Sequence, residues 1–296
     1  MAGKRGVVLI FTLLVSIVLY ILLGSFFLKS INENNLVRRY VNSVRAFWLA
    51  EAGIAEAKRN MPNSIPSTAL GTENYTYNAT TSHLQGEYYQ VVSTGSVMLE
   101  RLPKPEVITR SLTAILKTNP VNPDNFQHAI RTTVDLVVKG NVRINGPYEE
   151  NASFNFPSLF NYSKEDLKSS ATHLYSDPPN NVTPVEGITW VDISPGGELR
   201  IASNTWAGSG ILVVNGDMQI TGGTFNGIIY VIGKLRMSGN PIINGSILVE
   251  SDTELVEDTT LTGKVTINYD SDAIANVLDP LKFISPEIVS WCESIQ

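Results

Sequence analysis

The sequence predicts an α+β fold: a long amino-terminal transmembrane helix, then a small antiparallel sheet, then a carboxyl-terminal β-solenoid with coils of about 18 residues. Three observations carry this prediction. Residues 7–28 form an apolar run without a charge, a helical pattern continues unbroken to about residue 60, and a Gly-x-apolar-x-apolar motif recurs through the second half.

The apolar run comes first. Its 22 residues are interrupted only by Thr12, Ser16, Gly24 and Ser25. As a helix it would extend about 33 Å, enough to cross a hydrocarbon core. A cleaved secretory signal has an apolar region of only about 7–15 residues and a nearby small-x-small site. Here such sites, Ala50-Glu51-Ala52 and Ala55-Glu56-Ala57, stand far downstream of the run. The segment therefore reads as a retained helix, with Val8, Leu9, Phe11, Leu13, Leu14, Ile17 and Tyr20 as its membrane- or neighbour-packing residues.

The helix should continue beyond the membrane. Residues 29–60 hold no Pro and a single Gly, Gly53, and Leu36, Tyr40, Val44, Phe47 and Ile54 recur on one helical face. The helix formers of 50–58 strengthen the pattern and Pro62 ends it. Such a helix is about 80 Å long and cannot fold back on itself, so its apolar stripe needs a partner. Orientation stays open by charge alone. Lys4 and Arg5 precede the span, while Lys29, Arg38, Arg39 and Arg45 follow it, and the positive-inside count favours the reverse topology.

Composition bounds the rest. A chain of 296 residues suggests about two domains. Residues 1–60 carry eight Lys or Arg against Glu33, Glu51 and Glu56, a net +5. The remainder holds 14 basic and 25 acidic side chains, a net −11. An acidic body repels a phosphate backbone, which argues against nucleic-acid binding by that part. Cys292 stands alone, excluding an intrachain disulfide framework and a Cys-based zinc site.

Residues 61–72 read as a loop, and 73–82, 87–101 and 106–118 as strands of a small sheet lying on the emerging helix. The repeat then begins. Gly140-Val142-Ile144, Gly197-Leu199-Ile201, Gly216-Met218-Ile220 and Gly233-Leu235-Met237 share one spacing, and Gly210, Gly227, Gly245 and Gly263 open a second set of apolar runs. Asn145-Gly146, Asn226-Gly227 and Asn244-Gly245 suit corners that need positive φ. Residues 148–187 interrupt the repeat with Phe154, Phe156, Phe160, Tyr162 and Tyr175 and read as an insertion whose aromatics cover the solenoid side. Residues 270–278 read as a helix capping the last coil, and 279–296 as a tail folding back over it. The domains are thus 1–6, 7–60, 61–120, 121–278 with its insertion, and 279–296.

No catalytic or metal centre is legible, and no cofactor is implied. His83, His128 and His173 lie far apart without ligand spacing, and no nucleophile elbow, phosphate loop or dinucleotide fingerprint occurs. The acidic group Glu250, Asp252, Glu254, Glu257 and Asp258 reads as a solvated face.

A basic leader ending at Gly6, an apolar span starting at Val7, and the segment Ala46-Phe47-Trp48-Leu49-Ala50-Glu51-Ala52-Gly53-Ile54 resemble the amino terminus of PilX-type minor pilins, the type IV pilus assembly proteins. The resemblance covers roughly residues 1–60, with Phe47, Ala50, Glu51, Ala52 and Gly53 as its most distinctive part. It implies a prepilin peptidase cut between Gly6 and Val7 at the cytoplasmic face and methylation of the new amine. It also implies a leader inside and a body outside the cytoplasmic membrane, and partnership with other pilin subunits and the pilus machinery. One departure stands out: the Glu that most pilins carry at the fifth mature position is Phe11, a lack that PilX-like proteins share and that suits an initiating or tip subunit with nothing above it. The coils are similar in architecture to bactofilins. Two alternatives accompany this reading, a tip adhesin that binds a surface or glycan through 148–187, and an uncleaved membrane-anchored solenoid scaffold.

Overall fold

The computed structural model describes residues 3–72, 74–99, 105–251 and 258–294, with side chains from residue 11 onward. It divides into two compact units, Met1–Leu116 with Ile288–Gln296, and Lys117–Glu287.

In the first unit, α1 (Gly3–Asn60) runs 58 residues without a break, about 87 Å. Lys58 and Arg59 sit in its last turn, where cations favour the helix dipole. Four strands follow: β1 (Ile65–Ala69), β2 (Tyr75–Gln85), β3 (Tyr88–Leu99) and β4 (Glu106–Lys117). The segment expected as a loop contains β1, an edge strand antiparallel to β2 with a register irregularity between Ile65 and Thr68. Pro66 hides it in the sequence, because proline removes a ladder donor and is confined to edges and bulges. β2 and β3 form an antiparallel hairpin that pairs Tyr77 with Gly95, and Gly86 turns it at φ 58°.

In the second unit the chain makes β5 (Ile130–Thr132), β6 (Leu136–Gly140), β7 (Arg143–Asn145), β8 (Tyr148–Glu149), α2 (Phe156–Phe160), α3 (Lys164–Ser169) and β9 (His173–Ser176). The repeat follows as β10 (Ile188–Asp192), β11 (Glu198–Ile201), β12 (Ala207–Asn215), β13 (Asp217–Ile220), β14 (Thr224–Ile232), β15 (Leu235–Met237), β16 (Ile242–Glu250), β17 (Thr259–Gly263) and β18 (Thr266–Asn268), then α4 (Ser271–Leu278). Where the sequence sets 279–296 apart as a tail, β19 (Glu287–Ser294) returns to the first unit as the neighbour of β4, giving the order β1-β2-β3-β4-β19.

Two parallel ladders build the second unit. One has the order β7-β18-β16-β14-β12-β10-β9, with β5 beside β16; the other runs β11-β13-β15-β17-β6. Leu199, Met218 and Leu235 stand in register, as do Gly210, Gly227 and Gly245. Inward residues of both ladders, such as Leu212, Val214, Ile229 and Val231 against Leu199, Ile220 and Met237, share one core. The outward residues Ile211, Val213, Ile228, Tyr230 and Leu248 form a second core with Phe126, Phe156, Phe160, Leu167, Ile274 and Leu281. Burial on both faces explains why these strands read as continuous apolar runs.

The repeated glycines have a steric cause. A Cβ on Gly227 would lie 2.1 Å from the Gly210 carbonyl oxygen, and one on Gly245 would lie 1.9 Å from that of Gly227. Beside this column the amides of Asn226, Asn244, Asn268 and Asn145 hydrogen-bond in series at 2.7–2.8 Å.

The structure corrects three expectations here. Gly263 does not continue the Gly245 column; it pairs with Gly140 in the other ladder, and β16 to β18 steps 24 residues, from Ile242 to Thr266. Residues 136–145 do not open the series ahead of β11, because β6 and β7 pair with β17 and β18 at its far end. Helix α4, capped by the Asp270 carboxylate, covers the outer face of β14 and β16, where Ile274 and Leu278 are buried.

Candidate functional site

The first half of α1 is a long exposed apolar surface. Every residue from 11 to 28 is exposed, Phe11 at 66% and Tyr20 at 76%, with Leu13, Leu14 and Ile17 between them. The helix contains an 18-residue stretch of mean hydropathy 2.5, none of it buried. Its two serine hydroxyls bond within the helix: Ser16 Oγ donates to the Thr12 carbonyl at 2.9 Å, and Ser25 Oγ to that of Ile21 at 2.8 Å. A cylinder that is apolar all round with no unpaired backbone group is suited to lipid or to a bundle of similar helices. Gly6, Val7, Val8 and Leu9 lie in the helix backbone, and their side chains lie outside the described residues.

The second half is held by its sheet. Ala46, Ala50 and Ala57 are fully buried, with Leu49 and Ile54 beside them. Contact reaches backbone level, since a Cβ on Gly95 of β3 would fall 2.0 Å from the Ala46 carbonyl oxygen and 2.6 Å from the Ala50 nitrogen. A Cβ on Gly53 would fall 2.2 Å from Ser93 Oγ. Ala50 and Gly53 of the pilin-like segment are therefore the small residues that let helix and sheet touch. Ala52 is half-buried, while Phe47 and Glu51 line a cleft. The Tyr77 hydroxyl donates to the Glu56 carboxylate, which holds the phenol above its usual pKa. The expected stripe of 36–54 thus divides: Leu36 and Tyr40 are exposed, whereas Ile54 is buried.

Two clefts flank this half. One, of about 140 Å³, is lined by Phe47, Glu51, Ile54, Leu112, Ala114, Ile288 and Trp291. The other, of about 270 Å³, is lined by Arg45, Trp48, Leu49, Leu70 and Tyr75. Arg45 lies over the Tyr75 ring, 5.9 Å from its centroid, and donates to the Tyr75 hydroxyl at 3.2 Å.

Among the described residues the other candidates form no catalytic constellation. His83 is 2.8 Å from the Gly86 carbonyl, His128 is 3.8 Å from Glu149, and His173 is 3.5 Å from Glu186. Among the described residues no three His, Cys, Asp or Glu cluster as metal ligands would. Of the acidic group, Glu250 accepts from Tyr230 and pairs with Lys164, Asp258 is exposed, and Asp252, Glu254 and Glu257 lie outside the described residues. Tyr148 is exposed, whereas the other aromatics of 148–187 pack within the unit. Phe156 and Phe160 stack at 4.7 Å and pack on Tyr230, Tyr162 is buried, and Phe154 and Tyr175 are partly buried. Free Cys292 is exposed on β19.

No family model and no curated protein matches the sequence. A solved structure, the competence-associated pilin ComZ from Thermus thermophilus, aligns with 86% of this chain and 98% of its own at 10% identity, with a TM-score of 0.25. A superposition that loose carries no weight for fold or activity. The PilX and bactofilin likenesses find no support in these comparisons.

Proposed function

We propose that this chain is a pilin-like subunit of a type IV pilus or a related assembly, not an enzyme, and that it acts in initiation or display at the filament tip. The observation that carries the reading is the division of α1. Its first half is exposed and apolar with its serine hydroxyls bonded to the helix backbone, and its second half rests on an antiparallel sheet at backbone contact. Such a helix is stable in lipid before assembly and in a bundle of like helices afterwards.

In this reading prepilin peptidase cuts between Gly6 and Val7 at the cytoplasmic face, the body stays outside, and the partners are other pilin subunits and the assembly machinery. Phe11, lacking the usual carboxylate, favours an end position. The two parallel ladders support winding of residues 188–268 as coils of a β-solenoid, which would be the displayed element. The buried aromatics of 148–187 weigh against an adhesin acting through them.

Mass spectrometry of the mature amino terminus, on membrane and sheared-filament fractions, tests the reading. A methylated Val7 is expected. An intact Met1 or Ala2 terminus in both fractions would overturn it in favour of an uncleaved anchored scaffold.

A further inference from the structure

The two clefts beside α1 carry opposite charges. At about 100° per residue, Phe47, Glu51 and Ile54 fall within about 60° of one another, and Arg45, Trp48 and Leu49 within about 100°. The buried stripe of Ala46, Ala50, Gly53 and Ala57 runs between the two groups, so the clefts open on opposite flanks of the helix. On one flank Phe47 and Trp291, with ring centroids 6.3 Å apart, frame the Glu51 carboxylate, which has no basic partner among the described residues. On the other, Trp48, Leu70 and Tyr75 frame the Arg45 guanidinium, which donates at 3.2 Å to Asn42 and Tyr75 but meets no carboxylate among the described residues.

A charge set in an apolar, aromatic frame is suited to the opposite charge arriving on another apolar surface, where the local dielectric falls below that of water. We propose that the flanks are the two halves of one heterologous contact between copies of this chain, Arg45 and Trp48 of one copy against Glu51 and Trp291 of the next. Because the two surfaces differ, a pair leaves one flank of each kind unfilled, so several copies join at the filament end as a closed ring or a short open row. It also lays the exposed apolar halves of successive helices side by side. The proposal goes beyond the pilin reading: a subunit processed at Gly6 that assembles only with other chains keeps that reading and loses this one.

The test uses the full chain in detergent micelles with Cys292→Ser. One preparation carries Leu70→Cys and another Ile288→Cys, both exposed positions lining opposite clefts. A short bis-maleimide should join the two preparations when mixed and leave each alone at background. Glu51→Arg in the Ile288→Cys chain should lower the yield about fivefold, the scale of an exposed charge pair. Adding Arg45→Glu to the Leu70→Cys chain should restore it. Absence of mixed product, equal product from either preparation alone, indifference to Glu51→Arg, or failure of the double reversal to restore the yield would each overturn the proposal.

Discussion

Replacing Gly53 by Ala places a methyl group where the Ser93 hydroxyl stands. The added Cβ falls 2.2 Å from Ser93 Oγ, 3.2 Å from Tyr77 Cδ2 and 3.4 Å from the Asn78 carbonyl oxygen. Ser93 is fully buried, and its hydroxyl donates to that same carbonyl at 3.0 Å. To admit the methyl the hydroxyl must turn away, and an unmade hydrogen bond in a buried site costs about 1–3 kcal/mol. Removing glycine from a helix interior returns about 1 kcal/mol. Gly53→Ala should therefore destabilise the first unit by about 1 kcal/mol. Ser93→Ala alone loses the same bond, again about 1 kcal/mol. In the double variant the bond is already absent and the methyl enters the vacated space, so the helix gain offsets the loss and the total approaches zero. The two changes should couple by about 2 kcal/mol. Hydrogen exchange of the α1 amides between residues 46 and 57, in the full chain in detergent, reads this locally, with about 1.4 kcal/mol per tenfold in rate. Each single variant should exchange about fivefold faster, and the double should return to within about threefold of the parent. Simple additivity, with the double about thirtyfold faster than the parent, would refute the assigned clash.

Four further outcomes follow from particular residues. Burial pushes the Asp192 carboxyl up, but hydrogen bonds from Lys168 at 2.7 Å, from Asn215 and from Trp190 outweigh it and hold the pKa below 3.8. Its stabilisation is thus present above pH 3.8 and lost as pH falls through the lower folded value, and Lys168→Met should move the acid unfolding midpoint, followed by near-ultraviolet circular dichroism, to higher pH; an unmoved midpoint refutes the assignment. At the alkaline end, burial and then Asp166 push Tyr162 up to about 12, so its contribution is complete below pH 10 and declines as pH rises through about 12, a decline that Tyr162→Phe should abolish in alkaline denaturation. Gly227→Ala, at φ 132° and 2.1 Å from a backbone oxygen, should cost more than about 3 kcal/mol by denaturant unfolding, whereas Gly196→Ala, at φ 83° in open space, should cost about 1 kcal/mol; equal losses would show that the stack does not need its glycines. Phe11→Glu should raise incorporation along the filament shaft, scored by immunogold labelling, and an unchanged location counts against an end position.

The long helix was legible because an uncharged span and a proline-free continuation leave no competing structure, and α1 (Gly3–Asn60) extends the expected 7–60 by four residues at one end. The glycine repeat was legible for a steric reason: parallel strands in register bring backbone to backbone at the same position of each strand. What the sequence hid was order along the stack. A 24-residue step between β16 and β18 put Gly263 into the wrong column, since period alone cannot tell a lengthened turn from a new one. The placement of β6 and β7 beside β17 and β18 rests on packing more than a hundred residues away, which no local pattern encodes. In the pilin-like segment, the sequence marked Ala50 and Gly53 without their cause, which lies in Gly95 and Ser93 across the helix–sheet contact. Arg45 and Trp48, outside the expected site residues, gave no signal beyond their place on one helical flank.

The stacking order has a consequence for synthesis. Asn145 waits for Asn268, 123 residues later, and at about 5–20 residues per second that is roughly 6–25 s on the ribosome. Meanwhile β12, β14 and β16 find their partners within about 18 residues and can assemble as soon as they emerge. Segment 259–294 then supplies β17 and β18 to cover the waiting strands, and β19 to cover the open edge of β4. Both units are completed from the same late stretch, so a chain cut short before it leaves the edges of β4 and β15 bare and β6 and β7 without their partner strands, open to proteolysis.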